Sequence, residues 1–304
     1  MKLRYYTLDV FTDQIFGGNP LAVFPEAGAL DEHQMQLIAR ELNLSETVFV
    51  TETKNPECMN RLRIFTPQRE LPFAGHPTVG SAFLLAQIGL IYLESGDTRV
   101  VFEEGVGQVP VEIRSRNGRP VYTQLTTAVR PQVENNVPGR EVMASMLGIA
   151  ETDIHESPLA VQAASCGVPF LLVQLNSLAA VSRCQLNYLV WKQYLQDAWA
   201  PSIYVYVQEA VLPSSHIHAR CFAPAMGVQE DAATGSAATA LAGALALRSE
   251  KTDVEFRWII EQGFEMKRPS FLETQVVKRN SNVMTVKVGG ASVMVSEGVI
   301  NIPV

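Results

Sequence analysis

The side chains best placed to do chemistry lie at the start of an uncharged segment. The acidic glycine turn Glu230-Asp231-Ala232-Ala233-Thr234-Gly235-Ser236-Ala237 opens sixteen residues, 232–247, that carry no charge. An aspartate at a helix start is either a cap for backbone N–H groups or a carboxylate presented to a ligand. The N–H groups of such a start also bind anions and carboxylates. The pattern predicts a carboxylate held at the mouth of a buried helix, with Asp231 as the candidate.

His76 is a second candidate, in a turn near the middle of the first half. It stands between Gly75 and Pro77, and proline suits the first position of a helix that is predicted to continue to about residue 88. Thr78 follows in the same turn. The alternatives for His76 are a functional side chain and a satisfied core histidine.

Glu46 is a third candidate because of the junction on which it lies. Residues 31–42 predict a helix, with Asp31 as N-cap, Gln34 three residues on, and apolar residues at helical spacing. A β-rich segment follows from Thr47. Glu46 therefore lies where a helix gives way to a strand, a position from which a side chain can be presented rather than buried.

The chain contains an internal repeat, and two of these motifs lie at related places in its two copies. The similar segments, in chain order, are 18–23 with 167–172, Phe65-Thr66-Pro67 with Phe222-Ala223-Pro224, and Gly80-Ser81-Ala82 with Gly235-Ser236-Ala237. This alignment places His76 opposite Asp231. An ordered set of matches indicates two similar halves, with the junction in the proline- and asparagine-containing segment 131–138, although the spacing is too long for a solenoid.

Composition and charge exclude several classes of protein. The chain has 304 residues, 47% hydrophobic and 18% charged, with a net charge of −7, so it resembles an ordinary globular protein and offers no basic surface for nucleic acid. The uncharged segment 232–247 is too short and too rich in small residues for a membrane span. Four scattered cysteines form no C-x-x-C pair, and the N-terminus does not resemble a signal peptide. We expect a cytoplasmic protein that binds neither membrane nor nucleic acid.

No motif predicts a metal or a nucleotide cofactor. His216-Ile217-His218 with Cys221 is the best metal candidate, but Cys221 falls on the opposite face of a strand and no fourth ligand is near. Glycine motifs for dinucleotides or phosphates are lacking. Many strands and one long buried helix in each half, 77–88 and 232–247, predict an α+β fold.

The motifs together resemble the PhzF family, named after the phenazine-biosynthesis isomerase. The matching segments, in family order, are Asp9-Val10-Phe11-Thr12, Gly18-Asn19-Pro20-Leu21-Ala22-Val23, Asn43-Leu44-Ser45-Glu46-Thr47, Phe73-Ala74-Gly75-His76-Pro77-Thr78 and Glu230-Asp231-Ala232-Ala233-Thr234-Gly235-Ser236. The resemblance implies a diaminopimelate-epimerase-like fold of two pseudo-symmetric halves, 1–128 and 129–304, with the last strand returning to the first half. Each half would be a curved, mostly antiparallel sheet around a central helix, with the active site in the cleft between the halves.

The resemblance also implies roles for individual residues. The catalytic residues it predicts are Glu46, His76 and Asp231; those predicted to bind substrate are Asn19, Gly75, Pro77, Thr78, Gly235 and Ser236. Ala232 departs from the proline common in the family. The related epimerases use two cysteines as acid and base, and the matching positions here hold none, which disfavours a thiol racemase.

The activity implied is that of a cofactor-independent isomerase that moves a proton between carbons of a small cyclic or unsaturated carboxylic acid by glutamate acid/base catalysis. The alternatives are an epimerase or racemase of an amino-acid-like substrate and a non-catalytic binding protein on the same fold. The expected partner is a small carboxylate, and the expected assembly is a homodimer.

Overall fold

The chain forms two compact units in a computed structural model that describes residues 1–302. Unit 1 comprises Met1–Val129 and Lys287–Val304, and unit 2 comprises Arg130–Val286. The segment after the second long helix is thus divided between the units. The last strand lies in unit 1.

Unit 1 contains two helices and most of the strands of the first half. In chain order its elements are β1 (Lys2–Val10), β2 (Asn19–Phe24), α1 (Glu32–Leu42), β3 (Glu46–Thr51), β4 (Asn60–Phe65), β5 (Glu70–Leu71), α2 (Gly75–Gln87), β6 (Asp97–Glu104), β7 (Gly107–Arg116) and β8 (Arg119–Thr126). β2 pairs with β3 and β4 with β6 in parallel, whereas β1–β2, β3–β4, β4–β5, β6–β7 and β7–β8 are antiparallel. The first unit is therefore mostly antiparallel.

Unit 2 repeats this alternation with more helices. Its elements are β9 (Gln132–Glu134), α3 (Arg140–Leu147), β10 (Val161–Ser165), β11 (Pro169–Gln174), α4 (Leu178–Arg183), α5 (Tyr188–Tyr194), β12 (Ser202–Val207), β13 (Ile217–Ala223), β14 (Val228–Asp231), α6 (Gly235–Arg248), β15 (Val254–Gln262) and β16 (Ser270–Arg279). The parallel pairs are β11–β12 and β13–β15, and β10–β11, β12–β13, β13–β14 and β15–β16 are antiparallel.

Two long strands end the chain. β17 (Asn282–Gly290) begins in unit 2 and ends in unit 1, where its last residues pair with β8. β18 (Ser292–Asn301) pairs antiparallel with β1, with a register shift between Thr7 and Leu8. The pairing continues along the whole of β18, because a bulge absorbs an extra residue without ending it.

The two central helices are buried on every side. In α2 all residues from Gly75 to Ala86 are buried, and in α6 those from Gly235 to Ala244 are buried. An apolar sequence all round the helix, without an amphipathic stripe, is what such a position requires. The prediction of one buried helix in each half is confirmed, but the helices begin at Gly75 and Gly235 rather than at 77 and 232.

In unit 2, α5 begins directly after Asn187, whose side chain caps the helix by accepting from Leu189 N and Val190 N. The segment 131–138, expected to be a linker, contains β9, which pairs with the unpredicted strand β10. A three-residue strand next to proline carries too little periodicity to be detected from sequence.

The duplication is real, but its register differs from the one the sequence suggested. Phe65 pairs with Thr47 as Phe222 pairs with Ile203, which confirms the first anchor. The turn that follows pairs Ile64 with Leu71 in unit 1 and Cys221 with Asp231 in unit 2. Asp231 therefore corresponds to Leu71, and the alignment that set it opposite His76 is wrong.

The wrong register came from the second match, which aligned Gly80 with Gly235. α2 starts at Gly75 and α6 at Gly235, so Gly75 is the counterpart of Gly235 and His76 that of Ser236. Gly80 lies inside α2, where an added Cβ would meet Leu21 Cδ2 at 2.6 Å. Gly80 therefore serves close helix–strand packing, which explains why a similar Gly-Ser-Ala sequence has a different role.

A matching pair of arginines supports the corrected register. Arg63 donates through Nε and Nη2 to Glu70, and Arg220 donates in the same two-pronged manner to Glu230. Each guanidinium also lies over the phenylalanine two residues on, at 5.2 Å in unit 1 and 5.0 Å in unit 2. The strand before each turn is thus tied to the turn by the same fork-shaped contact.

Candidate functional site

Glu46 lies at the first position of β3, directly after α1. The helix ends at Asn43, whose φ of 50° is left-handed, and the chain then enters the sheet with Glu46 paired in parallel with Leu21. Asparagine tolerates this conformation better than most residues, so the sequence favours a stop at this point. Glu46 is 8% exposed, at a strand start inside the unit. The helix-to-strand junction predicted for Glu46 is confirmed, but the expectation that its side chain is presented rather than buried is wrong.

His76 meets Glu46 from the first turn of α2. Its Nε2 lies 3.5 Å from Glu46 Oε2, and its Nδ1 lies 3.3 Å from Asn19 Nδ2. His76 is 2% exposed and Asn19 is fully buried. Three of the residues predicted from sequence therefore meet in unit 1, although 57 positions separate Asn19 from His76.

The imidazole of His76 is neutral. Burial lowers its pKa to about 3, and the hydrogen bond that the Pro20 carbonyl accepts offsets this only in part. Its contact with Glu46 is therefore not an ion pair. Nδ1 of the ring faces the Asn19 amide and Nε2 faces the Glu46 carboxyl, so the neutral ring lies between these two side chains.

A tight glycine turn places Asn19 next to His76 and Glu46. Gly18 has a φ of +57°, and a Cβ there would meet the carbonyl oxygen of Val10 at 2.3 Å. Only glycine fits such an approach, so the Gly-Asn-Pro sequence fixes where β2 begins. Asn19 is the first residue of that strand and pairs with Val10 of β1.

The remaining residues predicted in this half, Gly75, Pro77 and Thr78, form the first turn of α2. Ala74 is the N-cap and offers no side-chain hydrogen bond to the helix start. Thr78 Oγ1 lies 2.8 Å from the carbonyl oxygen of Ala74 and 2.6 Å from Glu104 Oε1. The hydroxyl of Thr78 is thus held by two internal partners, and its backbone N–H also donates to the Ala74 carbonyl.

In unit 2, Asp231 ends β14 three residues before the N-cap of α6. Its Oδ2 accepts a hydrogen bond of 2.6 Å from Thr234 Oγ1. Gln262 Nε2 donates to the carbonyl oxygen of Asp231 at 2.7 Å and to Thr234 Oγ1 at 2.9 Å, and Gln262 Oε1 accepts from Thr234 N at 3.1 Å. The turn that holds Asp231 is fixed by one buried amide.

Gly235 and Ser236 are the first two residues of α6. Thr234 is the N-cap, but its hydroxyl bonds Asp231 and Gln262 and gives the helix no side-chain cap. Asp231, Gly235 and Ser236 therefore lie within one turn of unit 2, as the motif predicted. Asp231 is 7% exposed and Ser236 is 8% exposed.

Sequence reasoning missed two buried polar residues, Glu104 and Gln262. Each is the last residue of a strand and precedes a glycine that packs on the turn before a central helix. A Cβ on Gly105 would meet Pro72 Cα at 2.7 Å, and one on Gly263 would meet the carbonyl oxygen of Ala232 at 2.5 Å. In both halves a polar residue followed by glycine ends a strand, and this repeat was the signal in the sequence that could have found them.

The histidine and cysteine side chains that the sequence offered as metal ligands or acid/base groups lie in surroundings that suit a structural role. His218 lies between two carboxylates, with Nδ1 3.2 Å from Glu261 Oε2 and Nε2 3.0 Å from Glu265 Oε1. Within residues 1–302 no three His, Cys, Asp or Glu side chains are grouped so as to hold a metal ion. All four cysteines are buried, and burial raises the pKa of both Cys166 and Cys184 to about 12. These two groups are therefore poor thiolate bases.

No helix in residues 1–302 combines the length and apolar character needed to cross a membrane.

Comparison with known sequences assigns the chain to a family. The model of the phenazine biosynthesis-like protein family matches residues 8–298. An uncharacterized isomerase of Mesorhizobium japonicum is 39% identical over 98% of this chain and 99% of its own length. The trans-2,3-dihydro-3-hydroxyanthranilate isomerase of Pseudomonas chlororaphis is 34% identical, with 98% and 99% covered.

Solved structures agree with the sequence comparison. The PhzF-family phenazine biosynthesis protein of Bacillus anthracis is 26% identical and superposes with a TM-score of 0.88, covering 99% of this chain and 100% of its own. A hydroxyproline epimerase of Agrobacterium vitis, 13% identical with a TM-score of 0.67 and coverage of 98% and 91%, shares the fold alone. The predicted epimerase-like fold is confirmed. On this evidence the chain belongs to the phenazine biosynthesis-like, or PhzF, family and is an isomerase.

Proposed function

We propose that the chain moves a proton between two carbons of a small, cyclic or unsaturated carboxylic acid, with Glu46 as the group that carries the proton. The observation that supports this most is the buried contact between the Glu46 carboxyl and a neutral His76, at 3.5 Å. Relatives named trans-2,3-dihydro-3-hydroxyanthranilate isomerase suggest the substrate class, since that name describes a partly unsaturated ring acid.

Proton transfer through one carboxylate accounts for an isomerisation without change of composition. Glu46 takes a proton from a carbon, and the electrons of the broken C–H bond enter the neighbouring unsaturated system. The same carboxyl then returns the proton to a different carbon, and the double bond shifts. The substrate gains and loses nothing, and Glu46 ends as the carboxylate with which it began.

His76 serves this step by holding Glu46. A neutral ring whose Nε2 lies 3.5 Å from Glu46 Oε2 confines the carboxylate without cancelling its charge. A cationic ring at this position would stabilise the carboxylate and lower its basicity. The burial that keeps His76 neutral therefore favours Glu46 as a base.

The starts of α2 and α6 are each suited to a carboxylate or to developing negative charge. Neither helix has a side-chain cap, a feature that they share with α3, whereas α1, α4 and α5 are capped by Asp31, Ser177 and Asn187. Backbone N–H groups at such a start bind anions, and the helix dipole adds to the attraction. We propose that the backbone N–H groups of Gly75 in α2, and of Gly235 and Ser236 in α6, provide these contacts, while Pro77, which has no N–H, fixes the backbone at the start of α2.

Turnover of trans-2,3-dihydro-3-hydroxyanthranilate in deuterated water, followed by proton NMR, tests the proposal. We expect an isomer whose double bond has moved, with the receiving carbon carrying the transferred hydrogen, or deuterium where the Glu46 acid exchanges with solvent first, and we expect Glu46→Gln to lower kcat by about 10²–10⁴-fold. The control is Glu41→Gln, an exposed carboxylate at the end of α1 that should keep normal turnover.

Three results would contradict the proposal, each in a different way. Near-normal turnover by Glu46→Gln would remove Glu46 from the reaction. Deuterium at the original carbon with inverted configuration would indicate an epimerase. Saturable binding of the acid, seen by calorimetry without formation of an isomer, would indicate a binding protein.

A further inference from the structure

The carboxyl of Glu104 is buried where a negative charge has no compensation. Glu104 is the last residue of β6 and is 4% exposed; its Oε2 has no hydrogen-bond partner in the described structure. Its Oε1 lies 2.6 Å from Thr78 Oγ1. Burying an ionised carboxylate with one polar partner costs several kcal/mol, so such a group normally takes up a proton.

The hydrogen bonds of Thr78 also require that proton. Thr78 Oγ1 has one hydrogen and two neighbours, the carbonyl oxygen of Ala74 at 2.8 Å and Glu104 Oε1 at 2.6 Å. Both are acceptors if Glu104 is ionised, so one contact would be unmet. With a protonated Glu104, its O–H donates to Thr78 Oγ1 and Thr78 donates to Ala74.

The charged groups nearby face away from Glu104. On β6 the adjacent Glu103 points to the opposite face, where it accepts from Thr53 Oγ1. On β4, Arg61 lies in register with Glu103, and on β7 the residue paired with Glu104 is Gly107. On α2 the titratable group is His76, which is neutral. In agreement, burial raises the pKa of Glu104 to about 8, and the hydrogen bond from Thr78 opposes the shift only in part.

Unit 2 has a permanently neutral group at the same position. Gln262 ends β15 as Glu104 ends β6, since His218 pairs with Glu261 as Arg61 pairs with Glu103. Its amide spans the Asp231 turn with four hydrogen bonds, the fourth accepted from the Tyr204 hydroxyl at 3.1 Å. The position thus holds the start of a central helix with an uncharged side chain in both units.

We propose that Glu104 is a positioning residue that, as a neutral acid, donates to Thr78 and holds the first turn of α2, and so His76, in place against Glu46. Loss of its proton leaves the two acceptors competing for the hydrogen of Thr78 and loosens that turn. The proposal rests on the proposed function in so far as His76 serves Glu46. The neutral state of Glu104 is independent of the substrate.

The first test follows the histidine ring itself and needs no substrate. We would label the protein with ¹⁵N-histidine, assign the His76 signals with His76→Asn, and titrate from pH 6.5 to 9.5. We expect the ring nitrogens of His76 to shift with a midpoint near pH 8 in the wild type and to stay constant in Glu104→Gln. The matched control is Glu103→Gln, on the other face of the strand, which should titrate like the wild type. A His76 spectrum without this transition in the wild type would overturn the proposal.

The second test measures stability against pH. Because the pKa of Glu104 is raised above its unfolded value, its neutral form stabilises the fold fully below pH 4.5, and this contribution is lost as the pH rises toward 8. Relative to Glu104→Gln, the wild type should lose about 3 °C or more in Tm across this window. A difference in Tm that does not change with pH would show that Glu104 is ionised throughout.

The third test separates positioning from bulk packing. With a turned-over substrate, Glu104→Leu should lower kcat by about tenfold or more, toward the 10²-fold cost of a misplaced group, with a smaller change in KM. Glu104→Gln should restore most of the rate and remove the alkaline decline near pH 8. Equal losses in both variants would contradict the proposal. Absence of turnover in the wild type would count against the proposed substrate, while the first two tests still decide the state of Glu104.

Discussion

The two units place different side chains on the same framework. Where unit 1 has Glu46 at the start of β3, unit 2 has Ser202 at the start of β12, as the parallel pairs Leu21–Glu46 and Phe170–Ser202 show. His76 corresponds to Ser236, Leu71 to Asp231 and Glu104 to Gln262. Glu46 and His76 are therefore confined to unit 1, and Asp231 is confined to unit 2.

The difference teaches which parts of the repeat are structural. Both units keep the arginine fork, the close-packed glycine after the strand end, and an uncapped central helix with glycine at its first position. These shared features fix backbone geometry. The groups that differ are those able to exchange protons or bind polar atoms, so the two units carry different polar side chains on the same scaffold.

The largest expected effect comes from removing the carboxylate that distinguishes the unit 2 turn. We expect Asp231→Asn to lower kcat/KM by about 10²–10³-fold, through both KM and kcat, because a donor amide replaces an acceptor oxygen. The fold should survive, since the amide oxygen can still accept from Thr234 Oγ1. Steady-state kinetics with a circular dichroism control measures this. Full activity in Asp231→Asn would mean that Asp231 serves the turn alone, as Leu71 does in unit 1.

The next effect concerns the buried amide of unit 2. Gln262→Leu leaves the buried partners at Thr234, Asp231 and Tyr204 unsatisfied and should lower the free energy of unfolding by about 2–4 kcal/mol. Gln262→Glu makes the position like that of Glu104 and sharpens the comparison. The decrease in the free energy of unfolding caused by Gln262→Glu should be small below pH 4.5, where the acid is neutral, and should grow toward pH 8. Urea denaturation at several pH values measures both, and a Gln262→Glu deficit that is independent of pH would break the equivalence.

The smallest difference is between the two arginine forks. Arg220 also donates through Nη1 to the carbonyl oxygens of Val181, Ser182 and Cys184 at the end of α4. The second partner of Arg63 is the exposed Glu32. Lysine cannot reproduce the fork, so we expect Arg220→Lys to cost about 2–4 kcal/mol of unfolding free energy and Arg63→Lys about 0.5–1 kcal/mol. Equal losses in urea denaturation would show that the fork alone, and not the contact with α4, determines the cost.

The sequence by itself determined the local features. Asp31 and the apolar spacing after it predicted α1, and the capping box is present with Gln34. The helix-to-strand junction at Glu46, the buried central helices and the motif positions of His76 and Asp231 were also readable, because each depends on residues within one turn or strand. The existence of two similar halves followed from matches in the same order.

Tertiary structure alone decided the correspondence between the halves and the state of the buried groups. Leu71 and not His76 is the counterpart of Asp231, because strand pairing sets the register and a shared Gly-Ser-Ala sequence does not. The neutrality of His76 and Glu104 depends on burial and on partners 26 to 57 positions away in the chain. Such partners come together only when the sheet folds, so the charges of this site could not be deduced from residue types and spacing.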